Sequence, residues 1–342
     1  MSVRIALDAM GGDHAPEVVI NGAIIAARKS DINILLVGQE DKIKAQLSRH
    51  INIPKNIEVV PAAEVATMDD SPSSALRNKK NSSIAVATQL VVDKKADAIV
   101  SAGNSGVIMA SAIMSMRTLQ GVLRPAIATL FPTLTGFCGL LDVGATVECK
   151  PKHLQQFGIM GSIYVKEVFG ISNPRVGLLT IGTEETKGNE LTLEAFKLLS
   201  KSNLNFIGNV EGKDIPAGKV DVAICDGFVG NIVLKFGEGV AEMLFKLMKS
   251  EAKKYPLAYI SLPFIWPALK DLRKRTDYTE YGGAPLLGVD GVCIICHGGS
   301  NEKAIANAIF FAKESVNKNI NKIISQELTN FENGDKQCTE SV

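Results

Sequence analysis

Six short segments of the sequence combine glycine with side chains that can do chemistry, and each follows a predicted buried strand. The central segment spans 101–106, Ser-Ala-Gly-Asn-Ser-Gly, between an apolar strand at 98–100 and an apolar helix that starts at 107. A strand-to-helix turn presents unpaired backbone N–H groups and the positive end of a helix dipole, which is typical of anion sites. Gly103 and Gly106 allow close approach of a ligand, and Asn104 and Ser105 can cap the helix or donate. The same pattern also fits a capped helix that binds no ligand.

The other five segments follow strands that end near Asp8, Asp142, Gly182, Asp226 and His297. In open α/β sheets ligands bind beyond the carboxyl ends of the strands, so we expect these segments to line one shared polar cleft. For some residues a structural role is the alternative, because Asp8 and Asp142 can cap helices and His297 can satisfy a backbone carbonyl. The polar candidates in the cleft are Asp8, Asp13, His14, Asp142, Thr183, Lys187, Asp226, Asn231, His297 and Ser300.

The order of the predicted elements indicates the fold class. Apolar strands alternate with helices through short connections, which predicts an α/β protein with a doubly wound, mostly parallel sheet. A chain of 342 residues can bury a large core. We expect one large α/β domain over 1–331, or two lobes that share the sheet, and a polar, disordered tail at 332–342. Residues 71–96 are predicted to become an amphipathic helix.

The composition and the missing motifs disfavour several classes of protein. A formal net charge of +1, without a basic block interleaved with aromatics, disfavours a nucleic-acid partner. The start of the chain does not have the pattern of a signal peptide, and we expect a cytoplasmic protein. Neither a P-loop, nor a G-x-G-x-x-G after a strand, nor a G-x-S-x-G elbow is present, which disfavours a P-loop nucleotidase, a standard dinucleotide fold and a serine hydrolase.

The six cysteines suit single buried thiols of a reducing compartment. Cys293-x-x-Cys296-His297 matches the attachment pattern of c-type haem, but that chemistry needs an exported protein. A second cysteine pair that would complete a structural zinc site is missing from the sequence. We therefore expect a buried strand at 291–296 and no metal.

Eight motifs together resemble those of the phosphate acyltransferases of bacterial phospholipid synthesis, the PlsX family. They are IALDAMGGDHAP, VSAGNSG, RPAIATLFPT, LLDVGA, CKPKHL, IGTEETKGN, CDGFVGN and HGGS. The resemblance spans 3–331. It departs at Ser105, where the family is expected to carry Thr, and at Thr146, where it is expected to carry Asn.

The resemblance implies that inorganic phosphate attacks the thioester of a long-chain fatty acyl carrier protein, giving acyl phosphate and free carrier protein. It implies a homodimer, without cofactor or metal, whose fold is similar to isocitrate and isopropylmalate dehydrogenases and to phosphotransacetylases. It also implies that a membrane glycerol-phosphate acyltransferase takes the product, which would place the protein at a membrane surface.

For this reaction the candidate phosphate ligands are Gly103, Asn104, Ser105 and Gly106. The candidate catalytic residues are Lys187, Asp226 and Asn231. Lys187 can supply a cation, and Asn104, Asn231 or a turn amide can donate to the oxyanion. Asp226 or Asp13 can orient the lysine or accept a proton from phosphate. The alternative for Lys187 is a surface ion pair with Glu184 or Glu185.

Residues 239–278 are predicted to leave the domain as a helical hairpin. The uncharged stretch 256–267 contains the only Trp of the chain and is flanked by Lys and Arg, which suits a membrane interface with anionic lipid. A dimer contact and a lid over the acyl chain are the alternatives. The candidate membrane or acyl-chain contacts are Ile260, Leu262, Phe264, Ile265 and Trp266.

Two further questions stay open at the level of sequence. The basic run Arg77, Lys79 and Lys80 is either a solvated helix face or a dock for an acidic carrier protein. The rival functions are an acyl-CoA:phosphate acyltransferase, a noncatalytic membrane-surface scaffold for lipid enzymes, and a dehydrogenase of similar fold.

Overall fold

One sheet of eleven strands organises the part of the chain that the structure describes. The structure is a computed structural model and describes residues 2–255, 264, 267, 270 and 282–339. The strands are β1 (Val3–Asp8), β2 (Ile32–Gly38), β3 (Ile57–Pro61), β4 (Ala98–Ser101), β5 (Ala126–Thr133), β6 (Gly136–Leu141), β7 (Val176–Leu179), β8 (Phe206–Val210), β9 (Val222–Ile224), β10 (Ala284–Leu287) and β11 (Val292–Ile295).

The sheet consists of two parallel halves that run in opposite directions. Its order is β3-β2-β1-β4-β11-β10-β5-β6-β9-β7-β8. Five strands at one side of the sheet, β3, β2, β1, β4 and β11, are parallel to one another. The four at the other side, β6, β9, β7 and β8, are also parallel to one another. Three successive antiparallel pairings separate the halves, namely β11–β10, β10–β5 and β5–β6. An odd number of reversals places the carboxyl ends of the two halves at opposite edges of the sheet.

The two edges are named here by one residue each. The Asn104 edge is the edge at which β1, β4 and β11 end, and the Asp142 edge is the edge at which β6, β7 and β9 end. β5 starts at the Asp142 edge, because Ala128 of β5 pairs with Leu141 at the end of β6. β5 therefore ends at the Asn104 edge.

Helices cover both faces of the sheet, as in a doubly wound fold. They are α1 (Glu17–Lys29), α2 (Glu40–Leu47), α3 (Pro72–Asn78), α4 (Ser83–Val92), α5 (Ser105–Met116), α6 (Pro151–Phe169), α7 (Glu190–Ser200), α8 (Gly227–Lys254), α9 (Glu302–Asn317) and α10 (Ile320–Thr339). Alternate strand residues feed two cores, since Ile5 packs under α1 and α9 whereas Ala6 belongs to the core that includes α4 and α5. This arrangement confirms the predicted fold class.

The helix α8 crosses the sheet from one edge to the other. It begins after Asp226 at the Asp142 edge, and Gly237 in its middle packs against the ring of Phe131 near the end of β5. Its 28 residues correspond to about 42 Å, so its second half extends past the Asn104 edge. The rest of the predicted hairpin, apart from 264, 267 and 270, lies outside the described residues until 282.

Some local predictions differ from the structure. The helix expected within 71–96 is two helices, α3 and α4, because Ser82 accepts a hydrogen bond from the Ala85 amide and starts a new helix. Strands β8 and β10 were not predicted. The tail was expected to be disordered from 332, whereas α10 continues to Thr339 from a start anchored by the buried Ile320, Ile324 and Leu328.

Candidate active site

The loops that follow β1, β4 and β11 meet at the Asn104 edge. The backbone amide of Asp13 donates to the carbonyl of Gly298 over 2.9 Å, which joins the loops after β1 and β11. The amide of Cys296 donates to the carbonyl of Ser101 over 2.8 Å, which joins β11 to the end of β4. Three of the six predicted strand ends therefore lie together, as parallel neighbouring strands require.

Asn104 holds this edge together with both ends of its side chain. Its Oδ1 accepts hydrogen bonds from the amides of Gly106 and Val107, at 3.0 and 3.2 Å, and so caps α5. Its Nδ2 donates to the carbonyls of Met68 and Asp70, at 2.8 and 3.0 Å. Both functional atoms of the side chain are engaged, so we assign Asn104 a positioning role rather than the predicted contact with an oxyanion.

The backbone amides of the 103–106 turn divide into two kinds. Those of Gly103 and Gly106 are used inside the protein, by Ser101 Oγ at 3.1 Å and by Asn104 Oδ1. Those of Asn104 and Ser105 have no acceptor among the described residues. Ser105 is exposed, and it is the first residue of α5, where the helix dipole favours an anion. The predicted four-residue cradle is thus corrected to two free amides.

Asp13, His14 and His297 are exposed on the loops that follow β1 and β11 at this edge. The carboxylate of Asp13 lies against Gly298, 3.2 Å from the position that a Cβ would occupy there. The Nδ1 of His297 accepts a hydrogen bond from the Gly299 amide at 3.0 Å, so a neutral imidazole carries its proton on Nε2. Ser300 is buried and its amide donates to the His297 carbonyl at 3.0 Å, which indicates a structural role.

Asp8 lies beneath the same loops and is fully buried. Burial raises the pKa of its carboxyl, and hydrogen bonds from the hydroxyls of Ser101 and Ser83 and from the amides of Met10 and Gly11 oppose that rise. Asp8 was predicted either to line the cleft or to cap a helix. It does neither, because it is enclosed and bonds to the loop that follows β1.

Asp142 is the centre of the opposite edge. Its Oδ1 accepts from the amides of Ile127, Gly144 and Ala145, and its Oδ2 accepts from the amide of Thr146 at 2.6 Å. The side chain is fully buried, and burial raises the pKa of its carboxyl. All of its partners are backbone groups, so it fixes the start of β5 and the loop after β6.

The predicted catalytic residues lie at the Asp142 edge. Asp226 caps α8, since its Oδ1 accepts from the amides of Phe228 and Val229 at 3.0 and 2.9 Å. Thr183 and Asn231 are exposed. Lys187 is also exposed, and within the described residues it has no ion pair, so the alternative of a surface pair with Glu184 or Glu185 is not what the structure shows.

The single cleft predicted from six strand ends is therefore wrong. Asp8, Ser101 and His297 end strands of one half, and Asp142, Asp226 and the Lys187 loop follow strands of the other. The three antiparallel pairings between the halves direct these two groups to opposite edges. Within one chain, the strand ends do not place Lys187 or Asp226 beside the free amides of Asn104 and Ser105.

The predicted basic run is partly neutralised. Lys79 donates to Asp70 at 2.5 Å and to the carbonyl of Val65 at 3.0 Å. The hydrogen bond from Lys79 lowers the pKa of the Asp70 carboxyl to about 2. Arg77 and Lys80 are exposed. Because Asn104 binds the Asp70 carbonyl, these cations stand beside the Asn104 edge.

An exposed apolar stripe runs along α8. It consists of Phe228, Ile232, Phe236, Met243 and Leu247, and it is called the α8 stripe below. These residues recur at helical spacing on a face that the sheet does not cover. Among the hairpin candidates, Phe264 is 86% exposed. Ile260, Leu262, Ile265 and Trp266 lie outside the described residues.

Four of the cysteines that the structure describes are buried, and Cys149 is partly buried. Burial raises the pKa of Cys293 and Cys296 to about 12, which keeps both thiols protonated and unreactive. No group of His, Cys, Asp and Glu in the described residues is arranged to hold a metal ion. Within the same residues, no helix is long and apolar enough to cross a bilayer.

Two residues that hold the loops of the candidate site in place were not among the candidates from sequence. Ser101, at the end of β4, bonds both Asp8 and the Gly103 amide. Asn209, the second-last residue of β8, donates to the carbonyl of Glu184 at 2.8 Å and holds the Lys187 loop. A polar residue within the last two positions of an otherwise apolar strand was the available signal for both.

Solved structures place the fold in a recognisable class. The chain is similar to a phosphotransacetylase from Streptococcus pyogenes, with a TM-score of 0.65, 15% identity, and coverage of 92% of this chain and 94% of that one. It is also similar to the EutD phosphotransacetylase from Staphylococcus aureus, with a TM-score of 0.62 and 17% identity over the same shares of the two chains. A 4-hydroxythreonine-4-phosphate dehydrogenase from Klebsiella pneumoniae matches at a TM-score of 0.53 and 11% identity, over 91% of this chain and 98% of that one. The class is thus a phosphotransacylase-like fold.

Sequence comparisons then define the family. A family model described as "Fatty acid synthesis protein" matches residues 3–323. A phosphate acyltransferase from Endomicrobium trichonymphae is 55% identical over 96% of this chain and 98% of the relative. One from Pelotomaculum thermopropionicum is 53% identical over 96% of each. The chain belongs to this family of fatty acid synthesis proteins, the PlsX family of phosphate acyltransferase enzymes, as the motifs predicted.

Proposed function

We propose that the protein transfers a long-chain fatty acyl group from the thioester of acyl carrier protein to inorganic phosphate, giving acyl phosphate for phospholipid synthesis. The observation that carries the proposal is the pair of free amides of Asn104 and Ser105 at the start of α5. Two unpaired N–H groups on a helix N-terminus suit a phosphate dianion. Family membership supports the transfer of an acyl group to phosphate.

The chemistry requires no nucleophile from the protein. A phosphate oxygen forms a bond to the thioester carbonyl carbon, and the carbon–sulfur bond then breaks. The sulfur leaves as a thiolate, with a pKa of about 8.5, and takes a proton from water or from monobasic phosphate. The protein must hold the dianion, align it with the carbonyl and stabilise the oxyanion. We assign the first task to the amides of Asn104 and Ser105.

Asp13 and His297 are the titratable side chains that we place next to the reacting groups. Both lie at the Asn104 edge, in contact with Gly298 and Gly299. The hydrogen bond from the Gly299 amide to Nδ1 holds the imidazole of His297 at this edge, and Asp13 can accept a proton from monobasic phosphate. Asp226 and Asp142 are assigned to the backbone they cap, and Lys187 is kept as a candidate from the opposite edge.

The acyl donor is proposed to be acyl carrier protein because exposed cations flank the Asn104 edge. Arg77 and Lys80 are exposed on and just after α3, and a carrier protein with an acidic surface would dock there. An acyl-CoA donor is the second candidate, favoured by the likeness of the fold to phosphotransacetylases. Product formation from each donor by the purified protein distinguishes the two.

The sharpest test is the substitution Ser105→Pro. Proline removes the Ser105 amide N–H yet is favoured at the first position of a helix, and Asn104, at φ −60° and ψ 111°, already has a conformation suited to precede proline. We expect acyl phosphate formation to fall about tenfold or more, because a hydrogen bond to a charged group is lost. Ser105→Ala, which keeps the amide, is the matched control and should retain most of the activity.

The outcomes separate the rival functions. Transfer that survives Ser105→Pro unchanged would overturn the placement of phosphate at this turn. A folded protein that forms no acyl phosphate from any donor would favour the noncatalytic scaffold. Binding of NAD(H) by the unaltered protein would favour the dehydrogenase.

A homodimer and a membrane contact belong to the same proposal. The α8 stripe leaves large apolar side chains in water unless a partner covers them, and a second copy offers an equally apolar surface.

The exposed Phe264 and the uncharged segment around it suit contact with an anionic membrane, where the apolar product would pass to a glycerol-phosphate acyltransferase. Sedimentation with anionic vesicles, compared between the unaltered protein and Phe264→Glu, tests the membrane contact; equal sedimentation would contradict it.

A further inference from the structure

A buried chain of hydrogen bonds determines how the 103–106 turn presents its amides. The hydroxyl of Ser101 donates to Asp8 Oδ2 at 2.6 Å, and the same hydroxyl oxygen accepts from the Gly103 amide at 3.1 Å. Asp8 Oδ1 accepts from the Met10 amide at 3.1 Å. The carboxyl group of Asp8 is therefore bonded to the loop after β1 and, through Ser101, to the loop after β4.

The residues around this series of hydrogen bonds are packed so closely that Asp8 and Ser101 have little freedom to move. Asp8 and Ser101 are both fully buried. A Cβ on Gly11 would lie 2.4 Å from Asp8 Oδ2 and 2.7 Å from the Gly103 amide nitrogen. The backbone of Gly11 therefore packs directly against the Asp8 carboxyl group and the backbone of Gly103. Because the Gly103 amide is turned inward to Ser101, the next two amides, those of Asn104 and Ser105, are the ones left free.

Asp8 has no cation beside it among the described residues. Its neighbours are the hydroxyls of Ser101 and Ser83 and the amides of Met10 and Gly11. These hydroxyls and amides satisfy the buried carboxyl group in place of a cation. Its hydrogen bond to Ser101 connects it to the turn that receives the ligand.

We propose that Asp8 is a positioning residue of the phosphate site: acting through Ser101, it holds the Gly103 amide inward and so fixes the direction of the Asn104 and Ser105 amides. This inference rests on the proposed function. Neither Asp8 nor Ser101 touches phosphate in this arrangement. Their effect is on the affinity for phosphate and not on the binding of the acyl donor.

The experiment is calorimetric titration with inorganic phosphate, alone, with the unaltered protein and the variants Ser101→Ala, Ser101→Thr and Asp8→Asn. We expect Ser101→Ala to raise the Kd for phosphate about tenfold, because the Gly103 amide loses its acceptor and the turn can rotate. Ser101→Thr keeps the hydroxyl and should restore the affinity. Asp8→Asn, which keeps an acceptor for Ser101 but places an NH2 group near the Met10 amide, should fall between them.

Ser111→Ala is the matched control, because Ser111 is a buried hydroxyl of α5 that bonds Thr88 and has no link to the turn. It should leave the Kd unchanged. Steady-state kinetics on the same proteins should show a higher KM for phosphate with the KM for the acyl donor unchanged. A lower melting temperature in Ser101→Ala with an unchanged Kd would overturn the positioning role while leaving the proposed function in place. Absence of phosphate binding by the unaltered protein would overturn both.

Discussion

The side-chain amide of Asn104 donates a hydrogen bond of 3.0 Å to the backbone carbonyl of Asp70, across 34 positions of sequence. We expect Asn104→Asp to keep the helix cap, since a carboxylate accepts from Gly106 and Val107, but to release the loop at 67–70 and to repel phosphate. The KM for phosphate should rise about tenfold or more, with α5 intact by circular dichroism.

Asn104→Ala is the comparison for that substitution. It removes the cap as well, which should lower the free energy of unfolding by about 1 kcal/mol more than Asn104→Asp does. Equal stability of the two variants in urea unfolding would show that the cap has no such effect.

The ion pair of Asp70 and Lys79 predicts a pH dependence of stability. The hydrogen bond from Lys79 lowers the pKa of Asp70 from 3.8 to about 2 in the folded state. The folded protein then binds this proton less readily than the unfolded chain does, so the stabilisation is present above pH 3.8 and is lost as the pH falls towards 2.

Asp70→Asn removes this contribution. In urea unfolding, the difference in stability between the unaltered protein and Asp70→Asn should be largest above pH 5 and should shrink as the pH approaches 2. A difference that is constant over this range would show that the pair does not perturb Asp70.

Two glycines of the same helix should respond in opposite ways to alanine. At Gly230 a Cβ would lie 1.8 Å from the backbone oxygen of Asp142, whereas at Gly239 nothing lies within 4 Å. Gly230→Ala should lower the free energy of unfolding by about 1–3 kcal/mol, since the backbone must move. Gly239→Ala should raise it by about 0.5–1 kcal/mol, because alanine favours a helix. Thermal unfolding checks both variants: an unchanged or raised stability of Gly230→Ala would contradict the close packing at Gly230, and a lowered stability of Gly239→Ala would contradict the open space at Gly239.

Lys187 offers a clean test of the Asp142 edge because it has no structural partner among the described residues. Lys187→Ala should change the free energy of unfolding by less than about 0.5 kcal/mol. A larger loss in urea unfolding would reveal a structural role. Transfer activity measured on the same folded variant then reports whether this edge takes part in the reaction; unchanged turnover would remove Lys187 from the catalytic candidates.

The α8 stripe predicts the oligomeric state. Phe236 is 72% exposed at the middle of the stripe. If a second copy covers it, Phe236→Asp should convert a dimer into a monomer in light scattering, because the charge would be buried without a partner. Lys249→Asp, at an exposed position about 140° around the helix axis from Phe236, should leave the dimer intact. A monomeric unaltered protein would contradict the proposed dimer.

The sequence predicted much of the local structure because local signals are strong in this chain. The turn at 101–106 and the helix that follows were predictable from two glycines, an Asn at the cap and an apolar run. Another local signal is the capping box of Asn189 with Thr192, which marks the start of α7, Glu190–Ser200.

The relation between the two halves was not predictable in the same way. Strand direction depends on which strands pair, and β10, Ala284–Leu287, is a four-residue strand whose antiparallel pairing reverses the sheet. The polar ends of β6 and β9 have the same sequence pattern as those of β1 and β4, although they lie at the opposite edge of the sheet. Which amides of the turn are free also depends on Ser101 and Asp8, and this is visible only in three dimensions.

The pairing of β4 with β11 has a consequence for synthesis on the ribosome. β4 is complete at Ser101, but its outer neighbour begins only at Val292, about 190 residues later, so this contact has a large sequence separation. Until then a nascent chain that has formed β1 to β4 presents the apolar β4 as an open edge, which is a template for pairing with other chains. The order of translation therefore leaves one edge of the strand that carries the 101–106 turn unpaired until β11 has been synthesised.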